Sequence, residues 1–286
     1  MTDLATEANY VPEAKKRNIA FIGAGNMAGA IICGLLRERV LAPDEMFIYD
    51  SDAEKYPPYV EKGVRVCDSM FEAAEQASYI FLGLEPAVVA GVVRELAKIE
   101  GLLGRVVLVS IAAAVSTEQI CRAAGRAVPV IRTMPSTPML VGEGAVAACC
   151  NALVSKKDFE YVCRLFSALA TVSVLDESMM NAVISVNGSS PAYVYLFVKA
   201  LLDGAAEQGI PEDKALPLIL RTVEGGVKMI RQADCSIDTL IARVTSPNGT
   251  TLAALASLEH DDFYGAVGGA MHACTERAEE ISRELE

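Results

Sequence analysis

Two short stretches hold residue types whose spacing could do chemistry. One is Thr245-Ser246-Pro247-Asn248-Gly249-Thr250-Thr251, which crowds hydroxyls around a turn and runs into Leu252, Leu255 and Leu258 at helical spacing. Pro247 fixes one φ angle, and Asn248-Gly249 tolerates the left-handed conformation of a tight reversal. The pattern predicts a helix start with Thr250 or Thr251 as its cap. The first turn of a helix leaves backbone N–H groups unpaired at the positive end of the helix dipole, which makes a seat for a small carboxylate. An ordinary turn between two helices has the same pattern. The other stretch is Gly23-Ala24-Gly25-Asn26-Met27-Ala28, behind the apolar run Ile19-Ala20-Phe21-Ile22 and ahead of Ala30, Ile31, Gly34 and Leu35. Strand, glycine turn and helix form the context that gives a GxGxxA fingerprint its meaning. Gly23 allows the turn, Gly25 lets a pyrophosphate approach the backbone, and Ala28 lets helix and strand pack closely.

The elements that must position these residues divide the chain in two. Apolar runs at 46–49, 64–66, 79–84, 106–109, 127–131 and 145–148 alternate with helical patterns near 70–77, 87–98, 116–124 and 155–168. Near-continuous apolar strands between helices predict a Rossmann-like, doubly wound, mostly parallel sheet over 18–175. Ligands of such sheets bind at the carboxyl ends of the strands. There the sequence places Gly23 to Met27, Leu84 and Pro86, Ala112 and Ala113, and Met134, small or apolar residues that leave room for a flat nicotinamide ring. Asp50 ends the second strand, where an acid usually receives the adenosine ribose hydroxyls; Asp52 is close enough to share that role. From about 176 to 286 the strand signal gives way to helical periodicity at 177–186, 191–208, 212–231, 237–244, 250–258 and 261–283. Residues 1–17, polar and mixed in charge, read as a loose tail.

Composition excludes several classes. Hydrophobic residues make up 52% of the 286, enough for a large core. A net charge of −12 and the absence of Trp argue against nucleic-acid binding. Eight cysteines without CxxC spacing and only two histidines argue against a metal site. Cys149-Cys150 read as small buried residues. No charged-then-apolar signal opens the chain, so the cytoplasm is the expected compartment. Ser178 to Val198 is uncharged, but Asn181, Asn187, Ser189 and Pro191 interrupt it, which argues for a buried helix pair rather than a membrane span.

Four stretches together resemble the pyrroline-5-carboxylate reductases: Gly23 to Ala28, Arg132-Thr133-Met134-Pro135-Ser136-Thr137-Pro138, Asn187-Gly188-Ser189-Ser190-Pro191-Ala192-Tyr193, and 244–259. The similarity runs from about residue 18 to the C-terminus. It implies reduction of L-1-pyrroline-5-carboxylate to L-proline, the last step of proline synthesis, with NADPH or NADH. It also implies homo-oligomers, a dimer or a ring of dimers, in which the helical domains interlock and the site lies near their interface. On this resemblance Ser246, Asn248, Gly249, Thr250 and Thr251 bind substrate. Thr251 hydrogen-bonds the ring nitrogen, orienting it first and relaying a proton second, and Asp234 holds the ring N–H directly or through water. Glu85 stands where the family usually has Lys, and together with Asp50 it leans the chain towards NADH. A related imine or β-hydroxyacid reductase, or a regulatory paralogue that has lost turnover, would share the architecture. The first normally carries a Lys or Asp that Asn181 and Asn187 do not supply.

Overall fold

The structure is a computed structural model that describes residues 17–286. Residues up to Asn181 and Glu279–Glu286 form one compact unit; Ala182–Ala278 form another. The loose tail expected over 1–17 lies outside the described residues except for Arg17. That side chain is anchored, donating to Tyr79 Oη at 2.9 Å and stacking over the Tyr161 ring at 4.5 Å.

Among the described residues of the first unit, eight strands form one sheet: β1 (Ile19–Ile22), β2 (Met46–Tyr49), β3 (Arg65–Val66), β4 (Tyr79–Leu82), β5 (Val107–Ser110), β6 (Val130–Pro135), β7 (Gly144–Cys150) and β8 (Ala170–Val174), in the order β3-β2-β1-β4-β5-β6-β7-β8. The first six are parallel, β7 runs antiparallel to β6, and β8 is parallel to β7. The doubly wound, mostly parallel sheet is therefore as expected. Successive β1 residues serve opposite cores: Ile19 and Phe21 pack on one face, Ala20 and Ile22 on the other. Helices cover both faces, which is why the strands read as unbroken apolar runs. β8 is absent from the expected series. It is an edge strand with three of its five residues exposed, so it carries no continuous apolar signal.

The second unit is built from helices Ser190–Glu207, Glu212–Gln232, Ile237–Arg243 and Thr250–His260, with most of Phe263–Glu284. The helix expected over 177–186 is instead a 3₁₀ turn, Glu177–Met179, and a π turn, Ile184–Gly188. Ser190–Glu207 contains no buried residue, so the expected buried helix pair does not form within one chain. Leu196, Phe197, Leu218, Met229 and Tyr264 are all exposed, as is His272. No described helix is long and apolar enough to cross a membrane.

Candidate active site

The strand order reverses between β1 and β4, which lie side by side and end in register at Ile22 and Leu82. That reversal is where open α/β sheets take their ligands. Gly23 to Met27 follow β1 there, and Leu84 and Pro86 follow β4; Ala112 and Ala113 follow β5, and Met134 lies near the end of β6. The structure brings these expected residues to one edge of one sheet.

The glycines have separate reasons. Gly23 has φ +95°, and a Cβ there would fall well inside contact distance of the Gly83 carbonyl oxygen. Gly83 is held in return: its own Cβ would meet Gly23 O at 2.7 Å and Ala28 Cβ at 2.8 Å. Gly25 caps helix Asn26–Arg37 with extended backbone and no side-chain bond, and a Cβ on it would meet nothing within 4 Å. Open space over an uncapped, acid-free first helical turn fits a pyrophosphate. Tyr59 Oη donates to Ala24 O at 3.1 Å and steadies the turn from below.

Asp50 departs from its expected role. Its carboxylate is buried and accepts from Ala24 N at 2.7 Å, Asp52 N at 2.9 Å, and Lys55 Nζ at 2.9 and 3.0 Å. A carboxylate offers about four acceptor positions, so none is left for a ribose hydroxyl. Asp50 is a brace tying the end of β2 to the glycine turn. Burial pushes its pKa up, but the Ala24 and Asp52 amides and Lys55 outweigh that and hold it below the usual carboxylate value. The brace thus contributes its full stability above the ordinary carboxylate pKa and loses it only as pH falls through the lowered one. The Lys55 ammonium is held above its ordinary pKa, by the Asp50 hydrogen bond above all, with Asp52 and Glu85 adding to it. Lys55 is the cation the sequence reading missed.

Arg132 was missed as a buried group, although an arginine inside Val130-Ile131-Arg132-Thr133 is itself a signal that a partner waits in the fold. Its Nη2 donates to Asn181 Oδ1 at 2.7 Å, and its Nη1 lies 3.8 Å from Glu177 Oε1. Glu177 also accepts from Thr117 N at 2.7 Å and Thr117 Oγ1 at 2.5 Å, adding to the Ser116 cap of helix Thr117–Ala123 from sixty residues away. Burial lowers the Arg132 pKa and the Glu177 charge opposes that shift. Glu177→Ala removes both the countercharge and the acceptor of the two Thr117 bonds, leaving the Ser116–Gln119 capping box in place. It is expected to cost about 3 kcal/mol in urea denaturation, and a loss below about 1 kcal/mol would show the network to be passive.

The second unit holds the hydroxyl-rich turn. Asn248 takes the left-handed conformation, φ +58°, while Gly249 has φ −81° and caps helix Thr250–His260 with no side-chain bond. This corrects the expected threonine cap: Thr250 and Thr251 are the first two helical residues. A Cβ on Gly249 would displace the rotatable Ser246 Oγ, and Gly249 N donates to Ser246 O at 3.0 Å to close the turn. Thr245 Oγ1 is spent on Ile241 O at 2.7 Å. The uncapped first turn leaves Thr250 and Thr251 with backbone N–H groups beyond intrahelical reach. Asp234 is exposed in the loop after Gln232 and makes no hydrogen bond or ion pair with this turn among the described residues.

The cradle at the sheet reversal and the separate helical unit define a Rossmann-type dinucleotide-binding protein with an all-helical second part. Residues 177–281 match the model described as pyrroline-5-carboxylate reductase dimerisation, and 18–114 match the one described as NADP oxidoreductase, coenzyme F420-dependent. A pyrroline-5-carboxylate reductase of Escherichia coli is 35% identical over 269 residues, 94% of this chain and 99% of that protein. By structure, the chain resembles Plasmodium falciparum pyrroline carboxylate reductase with NADP bound (TM-score 0.85, 26% identity, 93% of this chain and 98% of that one). It equally resembles the Coxiella burnetii pyrroline-5-carboxylate reductase (TM-score 0.85, 29% identity, 94% and 99%). This chain belongs to the pyrroline-5-carboxylate reductase family.

Proposed function

We propose that this chain reduces L-1-pyrroline-5-carboxylate to L-proline with NADPH or NADH. The observation that carries the reading is the uncapped helix start at Gly249-Thr250-Thr251, in a family member whose relatives bear that activity's name over nearly their whole length. The related Plasmodium falciparum structure has NADP bound, and the open space at Gly25 fits a dinucleotide in this chain.

When bound, the reduced nicotinamide supplies the hydride. The chain's own residues hold the acceptor. Backbone N–H groups of Thr250 and Thr251 seat the substrate carboxylate, with Ser246, Asn248 and Gly249 shaping the turn. Thr251 Oγ orients the ring nitrogen and relays to it a proton that water restores to the hydroxyl. A bare hydroxyl is a weak acid, but the imine takes its activating proton from water, so no stronger acid is needed. Asp234, exposed in this chain, holds the ring N–H of the product directly or through water. Gly23, Ala24, Gly25, Asn26 and Met27 cradle the cofactor phosphates, and Leu84, Pro86, Ala112, Ala113 and Met134 flank the ring. The domains divide near residue 176, and the helical part pairs with a second copy, burying apolar side chains that one chain leaves exposed. We place the protein in the cytoplasm, in proline biosynthesis.

The direct test follows reduced-nicotinamide absorbance with pyrroline-5-carboxylate and each cofactor; no oxidation of either would overturn the reading. The same assay tests charge at the cradle. Glu85 caps helix Pro86–Leu96 without a side-chain bond and is exposed, so its charge is free to act on the cofactor. Glu85→Lys is expected to raise kcat/KM for NADPH relative to NADH about tenfold, roughly 1.4 kcal/mol. An unchanged ratio would remove Glu85 from cofactor choice.

A further inference from the structure

A second cavity lies at the other end of the sheet, where β4 and β5 begin rather than end. Its volume is about 600 Å³, and Arg17, Arg105, Lys157 and Arg164 line it with Tyr79, Tyr161 and one carboxylate, Asp158. Four cations around one acid make a positive pocket on a chain whose net charge is −12. The acid is already engaged: Asp158 accepts from Ser155 Oγ at 2.6 Å and Tyr79 Oη at 2.7 Å. Its charge is shared with Arg17, 4.0 Å away. Lys157 and Arg164 form no ion pair among the described residues. Arg105 spends one N–H on Glu75 O at 3.1 Å and keeps its charge.

The pocket is also rigid where it needs to be. Arg17 is held flat by the Tyr161 ring and by its bond to Tyr79 Oη, so little side-chain entropy remains to be lost when its guanidinium takes a ligand. Planar guanidinium forks and a mobile ammonium are the groups that bind phosphate oxygens. The volume falls within the range of small-molecule sites.

We infer that this pocket, at the amino ends of β4 and β5, binds a small phosphorylated anion, at a site distinct from the dinucleotide cradle at their carboxyl ends. The excess of cations suits a ligand of at least two negative charges. The overall acidity of the chain turns away nucleic acid and favours a compact anion that fits inside the ring of cations.

The chain has no tryptophan, so Tyr161→Trp installs a single reporter in the pocket and keeps an aromatic face for Arg17. The probe is inorganic pyrophosphate, titrated into the full-length reporter chain. A saturable change in Trp emission that weakens as salt rises is expected. Adding Lys157→Glu and Arg164→Glu, both exposed, is expected to weaken binding at least about tenfold. No saturation by millimolar pyrophosphate overturns the inference, and so does equal affinity in the charge-reversed chain. Should that variant fail to fold, the titration and salt series on the reporter chain alone still decide.

Discussion

Gly23→Ala lowers both stability and cofactor binding, whereas Gly25→Ala lowers cofactor binding alone. At Gly23 a side chain meets two obstacles. The backbone sits at φ +95°, where L residues are strained, and the new Cβ would drive into the Gly83 carbonyl. Neither obstacle is the tip of a flexible side chain. Relief requires β1 and β4 to move apart at the reversal of strand order, and Gly83 cannot yield because it is packed on Gly23 and Ala28. A cost of about 3–4 kcal/mol is expected, with cofactor affinity lost to a distorted turn. Gly25 has ordinary extended backbone and open space, so alanine leaves the fold intact. Its Cβ instead occupies room that a pyrophosphate needs, and affinity falls by about tenfold or more. Thermal melts and nicotinamide fluorescence titrations separate the two. An unshifted melt for Gly23→Ala, or a shifted one for Gly25→Ala, would contradict the assignment.

Thr251→Ala is expected to reduce kcat by about a hundredfold while leaving the melting temperature unchanged. The two effects separate because Gly249, not a threonine, occupies the cap. Thr251 is the second residue of the helix, where alanine has the higher helical propensity and the hydroxyl makes no capping bond to lose. A stability loss near 1 kcal/mol with little change in kcat would return Thr251 to a purely structural role. Thr251→Ser keeps the hydroxyl and is expected to recover most of the rate. Failure of serine to do so would place the effect in the lost methyl rather than in hydrogen bonding.

Much of the sheet was legible because local rules govern it. The series from β1 to β7 reads from apolar runs that must be covered on both faces, and the glycine turn reads from backbone geometry that few residues adopt. β8 escaped because an edge strand with one exposed face has no such run. The stretch after it escaped because Glu177 and Asn181 answer to Arg132 rather than to helical periodicity, and the chain there breaks into short turns.

The same division applies to the site. The sequence alone located the cradle and the hydroxyl-rich turn, since glycine, proline and asparagine act on the residues beside them. It also supplied the resemblance that gives the two a joint purpose. Tertiary structure decided the roles within them. Asp50 became a brace because folding sets the Ala24 amide and Lys55 around its carboxylate, leaving no lone pair for a ligand. The helix cap passed from threonine to Gly249 because the turn closes one residue earlier, with Asn248 in the left-handed conformation and Gly249 N bonded to Ser246 O. The cationic pocket exists only because Arg17, Arg105 and Lys157, distant in sequence, meet where two parallel strands begin. Such outcomes depend on which groups compete for one donor or one volume, and that competition is settled by packing between residues far apart in the chain.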